Sequence, residues 1–398
     1  MKIIIVGTAY PFRGGLAAFN QRLAREFQHQ GHEVEIITFT LQYPSFLFPG
    51  KTQFSDESAP KELKISRKIN SVNPLNWIKT GKMMQLKQPD LVVFAYWMSF
   101  FTPCFGTIAR FARSPKTKCI GLIHNMIPHE PTILDKLFPR YFVNTMDGFV
   151  AMTNAVVEDI NKFDEKNKPK LIYPHPIYDD YGEQISKENS EKRLNLPKNG
   201  KNILFFGFVR RYKGLDLLLD AMADERIRAM NVRLIVAGEF YEDKSFYDKK
   251  IEDLNLQETV EFRSKFTPDD EVKYYFSVAD MIVQPYRSAT QSGVSQIAYH
   301  FDKPMLVTDV GGLAETIPNG KVGYVVDVNS AEIADAIVDF YENNRSETFI
   351  SNIKEEKKKY RWSGMVETIL EVRNKRQETS LSSLTSYSLP LTSKNSKL

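Results

Sequence analysis

Residues 278–317 read VADMIVQPYRSATQSGVSQIAYHFDKPMLVTDVGGLAETI. Met281–Gln284 is a short apolar run stopped by Pro285, as a buried strand requires. The polar loop Tyr286–Ser292 carries small residues that let a ligand approach the backbone. From Gly293 the spacing of Val294, Ile297, Ala298 and Phe301 predicts a helix, closed by Asp302 and Pro304. A second strand, Pro304–Asp309, leads into the turn Val310-Gly311-Gly312 and the start of another helix. This order puts the N–H groups of a helix N-terminus at the carboxyl end of a strand. In an open α/β sheet anionic ligands bind there, although an ordinary crossover gives the same pattern.

The same alternation extends in both directions. Ahead of this stretch, strands are predicted at Asn202–Phe206, Arg233–Ala237 and Thr259–Phe262, and after it at Gly323–Val326. Nearer the start, strands are predicted at Lys2–Gly7, Glu33–Phe39, Leu91–Tyr96, Lys118–His124, Gly148–Met152 and Lys170–Tyr173. The helix Leu16–Gln30 places Phe19, Leu23 and Phe27 on one face and ends at Gly31. Between Ile177 and Asn202 the chain turns polar and reads as a linker with a short helix. Two doubly wound α/β units follow, consistent with 398 residues. A last helix from Trp362 is expected to return to the first unit, and residues 377–398 read as a disordered tail. The expected parts are thus 1–176, 177–361, the returning helix 362–376 and the tail.

Composition narrows the classes. A hydrophobic share of 42% with 26% charged residues is globular, and a net charge of +4 does not argue for nucleic acid. Cys104 and Cys119 have no paired spacing, so neither a disulfide framework nor a zinc site is expected. Leu91–Ala109 is uncharged over nearly a membrane-spanning length. Pro103 and Gly106 divide it, and a buried strand followed by a helix is the better reading. MKIIIVG reads as a first strand, not a signal peptide, and a cytoplasmic protein is expected. The first loop lacks the G-x-G-x-x-G spacing, which leaves dinucleotide binding unsupported.

Several segments carry a resemblance. ILFFGFVRRYKGLDLLLDAM, the loop-and-turn stretch 285–317, and GTAYPFRGG near the start resemble the family 4 retaining glycosyltransferases of the GT-B fold. GLIHN, AMTNAVVEDI and IYPHPIYDD occupy the matching places, so the likeness spans residues 1 to about 375. The resemblance implies two facing Rossmann-like domains with a cleft between them. It also implies metal-independent transfer of a sugar from a nucleotide-diphosphate sugar to a saccharide or lipid-linked acceptor, with no cofactor, in polysaccharide or glycan biosynthesis. One departure stands out. The family usually carries a glutamate, seven residues and a second glutamate in this loop. Here those places hold Ala289 and Ile297, or Ser288 and Gln296 one residue earlier. A GT-B sugar-nucleotide epimerase and an inactive nucleotide-sugar-binding protein are therefore alternatives.

The chemistry asks for fixed cations and N–H dipoles where a departing pyrophosphate gathers charge. Arg210 and Lys213, just after a strand, are the candidate cations, with Arg211 directed to solvent. His124, at a strand's carboxyl end, is the third candidate catalytic residue, placed near the donor sugar by the resemblance. Gly14, Gly15, Gln291, Ser292, Gly293, Val294 and Glu315 are the candidate donor-binding residues, with Glu315 better suited to capping a helix N-terminus than to holding a nucleotide hydroxyl. No metal constellation is present in the sequence.

From Lys61 to His129 the bases are Lys61, Lys64, Arg67, Lys68, Lys79, Lys82, Lys87, Arg110, Arg113, Lys116 and Lys118, against Glu62 and Asp90. With Trp77, Ile78, Met83 and Met84 interleaved, this surface is a candidate for resting on an anionic membrane from the cytoplasmic side. A solvated basic face over a packed core is the plainer alternative.

Overall fold

The computed structural model describes residues 1–44, 52–55, 58–127, 138–289 and 292–375. Gln291 and the stretch read as a tail lie outside the described residues.

Among the described residues the strands form two parallel sheets, each flanked by helices. The first contains β1 (Lys2–Val6), β2 (Glu33–Leu41), β3 (Lys64–Asn70), β4 (Leu91–Tyr96), β5 (Lys118–Ile123), β6 (Gly148–Ala151) and β7 (Lys170–Ile172). Their spatial order is β3-β2-β1-β4-β5-β6-β7. The second contains β8 (Lys201–Phe206), β9 (Val232–Ala237), β10 (Val260–Arg263), β11 (Met281–Gln284), β12 (Met305–Thr308) and β13 (Gly323–Val326), ordered β10-β9-β8-β11-β12-β13. The chain is thus two Rossmann-like domains in the GT-B arrangement. Every residue of β4 and β11 is buried, because helices cover both faces of a parallel sheet and leave no strand side for water.

Strand order reverses between β1 and β4 in the first sheet and between β8 and β11 in the second. The loops leaving the two central strands of each pair diverge to opposite faces and open a crevice at the carboxyl edge. Gly14 at φ +104° lets the chain turn from β1 into helix α1 (Gly15–His29). In the second sheet Gly214, at φ +68°, has room for no side chain: a Cβ there meets the Pro285 carbonyl oxygen.

Two elements differ from the sequence reading, and a third follows it. β3 was not anticipated, since only Ile69 of its seven residues is buried and register shifts at Thr38/Phe39 and Phe39/Leu41 break its pairing with β2. After Gly311-Gly312 the chain makes one turn of 3₁₀ helix, Ala314–Thr316, rather than a regular helix. The apolar stretch after Pro89 resolves into β4 and helix α3 (Thr102–Ala112), and no described helix is long and apolar enough to cross a membrane.

One apolar cluster runs through both domains, from Ile3, Phe19 and Leu23 through Tyr178 and Trp362 to Leu204 and Ile282. The helix Trp362–Asn374 lies against the first sheet. Trp362 Nε1 donates to the Ile177 carbonyl at 2.7 Å, Val372 packs over Gly148, and Arg373 reaches the Asp90 carbonyl. The helix Lys187–Leu194 instead belongs with the second sheet, through Lys187 to Asp280 at 2.5 Å and Arg193 to Glu271 at 2.8 Å.

Candidate active site

A cavity of about 490 Å³ lies between the sheets, at both strand-order reversals. Of the residues singled out in the sequence, Gly14, Gly15, His124, Lys213, Ser292, Gly293 and Val294 line it. Arg210 and Glu315 do not.

The first-sheet wall is built on packing. His124 follows β5, and its N–H donates to the Tyr96 carbonyl at 2.8 Å, extending the β4–β5 ladder by one residue. Its ring stands edge-on to Phe19, with centroids 4.7 Å apart. Phe19 also meets His175 at 5.0 Å and Trp362 at 4.9 Å, so one buried phenyl ring orients three side chains. Burial, then the neighbouring His175, pushes the His124 pKa down to about 3. Burial pulls His175 down to about 4, against its bond from Nδ1 to the Pro176 carbonyl at 2.7 Å. Both imidazoles are therefore neutral near pH 7, and His124 meets a ligand as a dipole rather than a cation.

The second-sheet wall carries charge. After β8 the chain passes Gly207 at φ +94° and makes the 3₁₀ turn Arg211–Lys213. The Lys213 ammonium sits 5.4 Å from the centroid of the Tyr286 ring, and among the described residues no carboxylate pairs with it. Burial, opposed by Tyr212 and assisted by Arg210, lowers its pKa. Arg287 holds this turn in place. Its guanidinium bonds both Asp216 oxygens at 2.7 Å and the Arg211 carbonyl at 3.0 Å, while its N–H reaches the Tyr212 carbonyl. Burial opposes ionisation of Asp216, but the Arg287 bonds hold its carboxyl below the ordinary value. Arg210 is exposed, stacked 5.1 Å from the Tyr241 ring at the rim, and Arg211 is exposed over Phe246.

The helix Gly293–His300 points its N-terminus at the cavity, as read from the sequence. The Ser292 side chain caps it by accepting from the Val294 N–H at 3.2 Å, so that N–H has a partner within the chain. Tyr178 packs on Gly293, where a Cβ meets the ring at 3.0 Å, and its hydroxyl donates to the Gly15 carbonyl at 2.9 Å. Gly293 therefore admits the side chain that joins the two walls.

Further polar contacts among the described residues cross the cleft. Arg13 pairs with Glu239 at 3.0 Å and lies 4.5 Å from the centroid of Phe266, with both charged side chains nearly buried. Glu315 accepts from the Asn154 backbone at 3.4 Å, at the start of the helix Asn154–Asn161 in the other domain. Arg13, Tyr178 and Arg287 went unmarked in the sequence. Arg13 stands in the GTAYPFRGG loop and Arg287 in the 285–317 stretch, but nothing in their spacing names a partner far along the chain.

At the places where the resembled family carries glutamates, Ala289 and Ile297 line the cavity. Gln296, the alternative position, is buried and is not part of the lining. This part of the wall is apolar. Among the described residues no group of three His, Cys, Asp or Glu side chains is placed to hold a metal ion.

The description "Glycosyltransferase Family 4" matches residues 13–175, and "Glycosyl transferases group 1" matches residues 186–359. The chain is a GT-B protein related to these glycosyltransferase families. The two matches fall on the two sheets, and their break falls in the polar segment between them.

Individual relatives are distant. A D-inositol 3-phosphate glycosyltransferase of Corynebacterium urealyticum is 25% identical over 260 residues, 60% of this chain and 59% of that protein. An uncharacterized glycosyltransferase of Methanocaldococcus jannaschii is 24% identical over 381 residues, covering 92% of this chain and 96% of its own. Among solved structures, Anabaena Alr3699/HepE in complex with UDP-glucose superposes with a TM-score of 0.70. That likeness, at 16% identity, covers 93% of this chain and 98% of that one, and it shows the fold.

Proposed function

We propose that this GT-B protein is a metal-independent retaining glycosyltransferase. It moves a sugar from a nucleotide-diphosphate sugar to a saccharide or lipid-linked acceptor in polysaccharide or glycan biosynthesis. The observation that carries this reading is the Lys213 ammonium, lining the cleft with no carboxylate partner among the described residues. A desolvated cation is costly unless an anion completes it, and a departing pyrophosphate is such an anion. The Anabaena structure bound to UDP-glucose has the same fold, which is consistent with a donor of this class.

In this reading the bond between the anomeric carbon and the phosphate oxygen breaks as Lys213 neutralises the diphosphate. The Gly293 helix N-terminus and the glycine loop at Gly14-Gly15 contribute dipoles, and Arg210 joins from the rim. Ser292 and Val294 set the shape of that helix end. The acceptor hydroxyl forms the new bond on the same face, and its proton passes to the leaving phosphate oxygen. His124, neutral and held by Phe19, offers a hydrogen bond near the reacting carbon. Ala289 and Ile297 exclude water on one side of the sugar without bonding its hydroxyls. Glu315 serves the cross-domain cap rather than the nucleotide.

The test is nucleotide release from a panel of nucleotide sugars, with and without saccharide and lipid-linked acceptors and with a chelator present. Acceptor-dependent release that survives chelation supports the proposal. Release without acceptor points to a hydrolysing epimerase or hydrolase, conversion of the donor into an epimeric nucleotide sugar without release points to an inverting epimerase, and donor binding with neither points to an inactive binder. Any of these results overturns it.

A further inference from the structure

Helix α2 (Pro74–Lys87) is pressed onto α3 so closely that a Cβ on Gly81 meets the Phe111 Cβ at 2.6 Å. That contact, with Thr80 and Met84 buried, fixes which side of α2 faces out. The outer side carries Leu75, Lys79, Lys82 and Leu86, at steps of four, three and four residues, which align on one helical stripe. Leu75 is 79% exposed and Leu86 86%, the two highest values among the exposed large apolar residues described, and Val72 precedes the helix at 47%. Several other bases of this domain are matched, Lys87 and Lys64 by Glu35, Lys116 by Asp90 and Arg113 by Asp147, while Arg67 is bound to backbone carbonyls and Arg110 lies over the Tyr141 ring. Lys79 and Lys82 are exposed and have no ion pair among the described residues.

We propose that this stripe docks the protein on an anionic lipid surface. Leu75 and Leu86 enter the boundary between headgroups and acyl chains, and Lys79 and Lys82 meet the lipid phosphates. Two lysines between the leucines match a surface that is apolar below and negative above. The same arrangement disfavours a second copy of this chain, because like-charged lysines come together when two such faces meet. The geometry also orients the cleft. In a parallel sheet all carboxyl ends share one edge, so the Leu75 end of α2, which follows β3, lies at the edge that carries His124 after β5. A lipid-linked acceptor at that surface reaches the cavity from its headgroup end. This last step rests on the proposed transferase activity, whereas the docking itself does not.

The experiment is flotation of the full chain with vesicles of phosphatidylcholine alone and of phosphatidylcholine mixed with phosphatidylglycerol. Binding is expected only to the mixed vesicles and is expected to fall as added salt shortens the screening length to a few ångströms. Lys79→Gln with Lys82→Gln should weaken binding about thirtyfold, from roughly fivefold for each lysine. Leu75→Ser with Leu86→Ser should weaken it by about tenfold or more, while Lys79→Arg with Lys82→Arg should keep it. These exposed substitutions leave the core untouched, and circular dichroism checks folding. Failure of the intact protein to float with mixed vesicles overturns the proposal, as does flotation indifferent to both the Gln and the Ser pairs. Concentration-dependent dimerisation that the leucine pair abolishes overturns it too, in favour of a contact between copies. No outcome depends on nucleotide release, so the docking and the transferase reading fail separately.

Discussion

The two walls of the cleft are made by the same βα topology yet do different work. On the first-sheet wall the titratable groups at the cavity are imidazoles driven neutral by burial and held by one phenyl ring. On the second, a lysine is kept beside the cavity by a turn that an arginine–carboxylate pair locks from behind. The difference teaches a division of labour. Shape and orientation come from the domain that carries the Phe19 cluster, and compensation of charge comes from the domain that carries Lys213.

The strongest way to break this comparison is to remove the ring that holds the first wall. Phe19→Ala should cost about 3–5 kcal/mol of stability, because it opens a cavity among fully buried neighbours. Chemical denaturation measures this, and a loss below about 1 kcal/mol would mean that the ring is not the hub. Gly293→Ala tests the seam between the walls. Its Cβ forces Tyr178 aside while the Tyr178 hydroxyl is tied to Gly15, so a cost of about 1–3 kcal/mol is expected. Tyr178→Phe in the same background should show whether that tie resists the movement.

A graded effect comes from pH. His124 and His175 have folded pKa values near 3 and 4, below the unfolded value of about 6.5. The unfolded chain then binds more protons between those limits, so the stability these residues contribute is full above about pH 6.5 and declines as pH falls toward 4. His124→Gln should flatten that decline in denaturant midpoints measured from pH 7 to pH 5. An unchanged slope would place the charge penalty elsewhere. Smallest of all is Arg211→Ala. Its side chain is exposed over Phe246, and the bond Arg287 makes to it uses only its backbone carbonyl. Stability and turnover should both stay close to those of the unaltered chain, within about 0.5 kcal/mol.

Much of this was legible in the sequence because it rests on local patterns. Apolar runs of strand length, Gly31 after α1 and Pro285 after β11 mark elements whose causes lie within a few residues. The stretch 278–317 placed the helix at Gly293, and GLIHN placed His124 at a strand end. β3 was not legible, since Lys64–Asn70 buries one side chain and its stability comes from its neighbour. Nor were the long-range partners. Nothing near Arg13 names Glu239, and nothing near Arg287 names Asp216. The Gly293 helix was read as an open anion site, yet Ser292 caps one of its N–H groups and Tyr178 covers its first residue. Glu315 likewise follows a glycine pair whose sequence does not disclose the Asn154 backbone opposite it.

The central claim is that Lys213 neutralises a departing pyrophosphate, which makes its contribution greater in the transition state than in the ground state. Steady-state kinetics on folded Lys213→Ala, with the nucleotide sugar identified by the release assay, tests it most directly. The account predicts a fall in kcat on the order of a hundredfold, about 3 kcal/mol, with KM for the donor changed much less. Lys213→Arg should recover little, because a planar guanidinium does not fit the place of a compact ammonium. A near-normal kcat in folded Lys213→Ala, or a loss confined to KM, would contradict it.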